Sequence, residues 1–206
     1  DALNIAVIDF GDHFRHEISR RADAADRSMA ERGVEQRVLA AESPDLGIII
    51  DTDKITAELG GDRIIGGKTA IEKIDTCLEK GVNFTQETTL SGARTLKTIQ
   101  RARELDYYIR LYYIGINSAA ESIARISNRV RKGGHNISGE DVERRFDKRF
   151  EDLARILPYC NEVRFYDNEN GFADVAEFRN GALILKGDYV PEWVNSILPF
   201  KMPSRT

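Results

Sequence analysis

Apolar residues along this chain occur either in short runs or at helical steps, and the two patterns take turns. Residues 3–8 (LNIAVI) form a short apolar run of the kind buried strands use. Phe14, Ile18, Ala22, Ala25 and Met29 then recur at steps of three and four. They mark one face of a helix whose other face is dense in Arg, Asp and Glu, with Gly33 as a stop. LGIII at 46–50 reads as a second buried strand and runs into Asp51-Thr52-Asp53. Thr69 and Glu72 have capping-box spacing at the head of a helix carrying Ala70, Ile71, Ile74, Cys77 and Leu78, which Gly81 ends. VNFTQE (82–87) predicts a strand. Residues 92–105 predict a helix with Leu96, Ile99, Ala102 and Leu105 inward, and YYIRLYYIGI (107–116) a further strand.

Ser118 and Glu121 form another capping box, before a helix with Ile123, Ile126 and Val130 on one face. Gly133-Gly134 breaks it. Ser138 can cap a helix along which Val142, Phe146, Phe150, Leu153 and Leu157 repeat, with Pro158 after them. EVRFYD (162–167) and a hairpin turned at Asn180-Gly181 follow, then a short helix after Pro191. Strands separated by helices of this length predict an α/β fold: a mostly parallel sheet flanked by helices, with right-handed crossovers and a C-terminal β-hairpin.

Composition narrows the function. The 206 residues are 41% hydrophobic and 31% charged, the balance of one compact globular domain. A net charge of -4 argues against a general nucleic-acid binder. No apolar run reaches the 18 or so residues of a membrane span and no signal-peptide pattern opens the chain, so a cytoplasmic, reducing setting is the expectation. Cys77 and Cys160 are too few and too isolated for a disulfide framework or zinc site, and His13 with His16 find no further ligands, so no metal site is expected.

Ligands of α/β sheets gather outside the carboxyl ends of the strands. Two such ends are polar here. In Asp51-Thr52-Asp53, one residue can cap the next helix, which leaves a carboxylate to accept a hydroxyl proton or hold magnesium. Gln86-Glu87-Thr88-Thr89 is the other, or else an ordinary polar turn. Arg125 and Arg129 share a helical face, and Arg131, Lys132, Gly133-Gly134-His135 and Arg144-Arg145 follow. That is either a solvated charged surface or a lid over phosphates hinged at the glycines.

A phosphate loop is harder to find. Gly66-Gly67-Lys68-Thr69 has the ending of a Walker A motif, but Asp62 stands where the first glycine belongs, and residues 54–59 before it are helical in pattern. After the first strand, Asp9-Phe10-Gly11-Asp12-His13-Phe14-Arg15 has no Gly-Lys-Ser/Thr. An acidic side chain in an anion nest repels phosphate.

LGIIIDTDKITAELGGD, GGKTAIEKIDTCLEKGVNFTQETTLSG, ESIARISNRVRKGGHNISGEDVERRF and YDNENGF, in that order, resemble the zeta toxin-like family of P-loop kinases from about residue 46 to 193. The resemblance implies an ATP- and magnesium-dependent small-molecule kinase acting on a hydroxyl of a nucleotide sugar such as UDP-N-acetylglucosamine, with an antitoxin protein as possible partner. It implies Asp53 as the catalytic aspartate, Glu87 and Thr89 as sugar contacts, Arg125 and Arg129 as phosphate or lid arginines, and His135 at a second lid position. The departure lies in residues 1–45, an atypical strand and charged helix where the family carries its Walker A; residues 46–206 match the kinase domain. Two other readings follow from that departure. One is a binding module that keeps the crevice without catalysis; the other is a toxin domain inhibited in cis by its N-terminal helix.

Overall fold

The computed structural model describes residues 5–11, 47–131, 137–169, 172–179 and 181–200. The helix expected over 14–32 lies outside them. Seven strands are β1 (Ile5–Gly11), β2 (Ile48–Ile50), β3 (Phe84–Thr88), β4 (Tyr108–Gly115), β5 (Glu162–Asp167), β6 (Ala173–Arg179) and β7 (Ala182–Leu185). The helices are α1 (Thr52–Glu58), α2 (Arg63–Lys80), α3 (Ala93–Glu104), α4 (Ala119–Arg131) and α5 (Gly139–Ile156). The strands are hydrogen-bonded in the order β2-β3-β1-β4-β5-β6-β7, so the fold is α/β. None of the described helices is long and apolar enough to cross a membrane.

Both parallel and antiparallel pairings occur among the described strands. β2 runs parallel to β3, but β5/β6 and β6/β7 are antiparallel. The reason is loop length. Only residues 168–172 separate β5 from β6 and two residues separate β6 from β7, whereas a parallel crossover needs about a dozen or more. Gly181, at φ 81°, sits in the turn of the C-terminal hairpin, where Arg179 pairs with Ala182.

The chain divides into two compact units, one of residues 7–87 and 97–110, the other of residues 1–6, 88–96 and 111–206. In the first, Gly47 (φ 62°) lets the chain pass Asn83, since a Cβ there would lie 2.0 Å from the Asn83 carbonyl oxygen. β2 begins next with Ile48 N–H donating to that carbonyl at 2.9 Å. Only Ile50 of β2 is buried; Ile48 and Ile49 are 48% and 45% exposed, so the run read as a buried strand is an edge strand. The head of α2 also differs from the expectation. Asp62, not Thr69, is its cap, with Oδ1 accepting from the N–H groups of Ile64 and Ile65 at 2.9 and 3.1 Å. Gly81 (φ 64°) closes the helix as expected. The core of this unit gathers Ile74, Cys77, Leu78, Phe84 and Tyr107. The Tyr107 hydroxyl donates to the Cys77 carbonyl at 2.9 Å, and its ring meets Phe84 edge-on. Leu105, expected inward, is exposed because α3 ends one residue before it.

The second unit is built on aromatic packing. Tyr113 meets Phe165 and Trp193 at centroid distances of 5.9 and 5.8 Å, and Phe165 meets Phe178 at 5.7 Å. A Cβ at Gly115 would lie 2.3 Å from the Trp193 ring, so only glycine fits there. Ile126 of α4 and Val142 of α5 form a separate small core with Ile123, Val130 and Ile137. Both serine caps form: Ser118 Oγ accepts from Glu121 N–H and Ser138 Oγ from Asp141 N–H, each at 3.2 Å.

Candidate functional site

The parallel pair β2/β3 is in register with Ile50 opposite Gln86. The carboxyl ends of the two strands therefore lie side by side, one leading into Asp51-Thr52-Asp53 and the other carrying Glu87. The first of these segments resolves into separate tasks. Asp51, extended at φ -103° and ψ 109°, is the cap of α1, and its Oδ1 accepts from the N–H groups of Asp53 and Lys54 at 2.9 and 3.0 Å. Asp53 is the carboxylate left over. It stands exposed in the first turn of α1. A solvent-facing carboxylate just past a strand end can accept a proton from a hydroxyl brought to it. Glu87 is half-buried in β3.

The segment after β3 is a polar turn with one strained residue. Leu90, buried, has φ 58°, in the left-handed region that side chains other than glycine rarely adopt. Its N–H is held by Thr88 Oγ1 at 3.1 Å, and that hydroxyl also meets Thr95 Oγ1 at 3.2 Å. Thr89 Oγ1 lies 2.8 Å from Ser91 Oγ. The hydroxyls of Thr89 and Ser91 are thus paired with each other, an arrangement that a sugar hydroxyl can enter as donor or acceptor.

Arg125 is engaged within its own unit. Its Nη2 donates to Glu121 Oε1 and, at 2.6 Å, to the Asn168 carbonyl. Glu169 accepts from the Asn117 N–H at 2.6 Å and from the Asn117 side-chain amide, and Asn117 Oδ1 accepts from Trp193 N–H at 3.0 Å. Burial, then a hydrogen bond to Glu169, pushes the Glu121 carboxyl up. Burial works on Glu169 too, but the Asn117 and Glu121 hydrogen bonds outweigh it and hold that carboxyl down. This network ties the turn after β5 to the head of α4, so Arg125 positions backbone here. Arg129 lies in α4; His135 falls outside the described residues.

The phosphate-loop question is decided by helix α2. Gly66-Gly67-Lys68-Thr69 lies within it, and Gly66 N–H donates to the Asp62 carbonyl at 2.8 Å. A Cβ at Gly66 would fall 2.1 Å from Thr56 Oγ1, so this glycine serves the close crossing of α1 and α2. Backbone amides closed into a helix cannot cradle phosphate oxygens. Among the described residues this segment does not fit a nucleotide's phosphates.

No family model matches the chain, and no solved structure matches it. A protein of Haemophilus influenzae, described only as uncharacterized, is 34% identical to it over 104 residues, which cover 48% of this chain and 74% of that protein.

Proposed function

We propose that this chain, which belongs to the same family as that uncharacterized Haemophilus influenzae protein, is a zeta toxin-like, P-loop-kinase-like protein that acts on a hydroxyl of a nucleotide sugar such as UDP-N-acetylglucosamine. The observation that carries the reading is the pairing of strand ends: Ile50 opposite Gln86 sets Asp53 and Glu87 at neighbouring carboxyl ends, with Asp51 already engaged as the helix cap. Asp53 accepts the proton of the acceptor hydroxyl. Glu87 and Thr89 take hydrogen bonds from the sugar and hold it in place. ATP with magnesium is the donor that this chemistry expects. The helical state of Gly66-Gly67-Lys68-Thr69 favours a second reading, a kinase-fold module that binds the sugar nucleotide without transferring phosphate.

Calorimetric titration of the full chain with ATP–magnesium, and separately with UDP-N-acetylglucosamine, tests both. Binding of both ligands is the outcome expected of a kinase, and Asp53→Ala then abolishes transfer. Sugar-nucleotide binding alone favours the module. Silence from both ligands sinks the two readings together.

A further inference from the structure

Two glutamates that the proposed reaction does not use meet where the turn after β5 reaches the head of α4, within the unit of residues 1–6, 88–96 and 111–206. Glu121 stands in the first turn of α4 and Glu169 just past the end of β5, and their side chains are hydrogen-bonded to each other. Two carboxylates cannot make that bond, so one of them has to carry a proton. Both oxygens of Glu169 already accept, one from the Asn117 N–H at 2.6 Å and the other from the Asn117 side-chain amide, which arranges this carboxyl as the acceptor. Glu121 gives one oxygen to Arg125 Nη2 and keeps the capacity to donate through the other.

Among the described residues, the charged groups acting on Glu121 are Glu169 from the turn and Arg125 from its own helix. Arg125 also donates to the Asn168 carbonyl at 2.6 Å, so its guanidinium is shared with the backbone of the turn. α5 meets α4 through Ile126 and Val142, which carry no charge. Asp167, at the end of β5, is occupied by the Trp193 indole, the Tyr189 hydroxyl and the Glu169 N–H. The side chains of Arg125 and Glu121 are 26% and 31% exposed, so protons exchange with solvent while water screens the cluster only in part. The contacts form a chain. Glu121 holds Glu169, Glu169 holds Asn117, and Asn117 Oδ1 accepts from the Trp193 N–H at 3.0 Å.

We propose that this pair is an acid-held latch: with one proton between them, Glu121 and Glu169 fasten the turn after β5 to the head of α4 and, through Asn117, to the segment around Trp193. Loss of that proton sets two carboxylates against each other, and the single guanidinium of Arg125 cannot compensate both. Burial, then the bond to Glu169, holds the Glu121 carboxyl above its ordinary 4.5. The latch is therefore closed below that raised value and opens as pH rises through it. It does not depend on the kinase reading, since neither Asp53 nor Glu87 takes part.

The test is amide hydrogen exchange of the full chain, read by NMR between about pH 4 and about pH 8 and expressed as protection factors. The Asn117 and Trp193 amides both donate within the latch, and their protection is expected to fall by at least about tenfold as pH rises. The Val142 amide, which donates to the Ser138 carbonyl at 3.1 Å at the head of α5, should hold its protection. In Glu121→Gln the carboxamide donates to Glu169 at every pH, so the Asn117 and Trp193 amides should stay protected throughout. The side-chain carbon shift of Glu121 in the wild type gives a second reading that needs no variant. A midpoint above 4.5 is expected, and one at or below 4.5 overturns the inference. Constant protection of Asn117 and Trp193 in the wild type, an equal fall at Val142, or the same fall in a folded Glu121→Gln overturns it too.

Discussion

Two aspartates two residues apart do unlike things at the end of β2, and substitution should separate them. Asp51→Ala removes the acceptor for two amide groups of α1 and should cost about 1 kcal/mol in chemical denaturation. Asp53→Ala should leave stability within about 0.5 kcal/mol while abolishing any phosphate transfer, because an exposed side chain is removed without a packing loss. That one residue of Asp51-Thr52-Asp53 would cap a helix is legible in the sequence. Which one does so depends on where the strand's extended backbone stops, and that follows from pairing with β3. Asp174 offers a test by pH. Burial, against the pull of Lys186 and Arg164, raises its carboxyl above the ordinary 3.8, and its Oδ1 has no hydrogen-bond partner. A raised native pKa means the stability this group contributes is full below the unfolded value and is lost as pH rises through the native one. Asp174→Asn stays neutral throughout. Its stability relative to wild type should therefore grow between about pH 4 and pH 7, read from denaturation midpoints at the two pH values.

Element boundaries show where local sequence suffices. Ser118, Ser138 and Gly81 act as their spacing predicts, because a cap is a contact between residues two to four apart. The Thr69–Glu72 spacing is the counterexample. The same two residue types occur inside helices, and only Asp62 has the extended backbone (φ -73°, ψ 106°) that a cap requires. The Gly66-Gly67 pair is likewise a matter of packing. Gly66→Ala should destabilise by about 1–3 kcal/mol, since the methyl group would meet Thr56 at the α1–α2 crossing. Lys68→Ala, exposed two residues on, should change neither the melting temperature nor any affinity for ATP. A large loss of ATP binding in that variant would show that the segment does hold phosphate. The basic face of α5 was legible only in part. Arg144-Arg145 stand out in the sequence, and Lys148 and Arg155 share the face of Arg144 by helical spacing, but that this face meets the start of α3 across a cavity is decided by packing.

At the scale of the molecule, one tryptophan holds the end of the chain to its sheet. Trp193, the sole tryptophan, donates its indole N–H to the buried Asp167 Oδ1 at 2.9 Å and fills the space that Gly115 leaves open. Trp193→Phe leaves that carboxylate oxygen without its donor and should cost about 1–3 kcal/mol, measured by far-UV circular dichroism in urea. Nothing in the run PEWVNS announces such a partner, because Asp167 is far away along the chain. The sequence by itself determined the alternation of strands and helices, the hairpin at residues 180–181 and the polar character of two strand ends, all of which rest on contacts between near neighbours. Tertiary structure alone decided the exposed edge position of β2 and the choice of Asp51 rather than Asp53 as the cap of α1. It also decided the helical fate of Gly66-Gly67-Lys68-Thr69. These depend on which segments meet in space, and the free energy of such meetings comes from burial and hydrogen bonds between residues that the chain holds far apart.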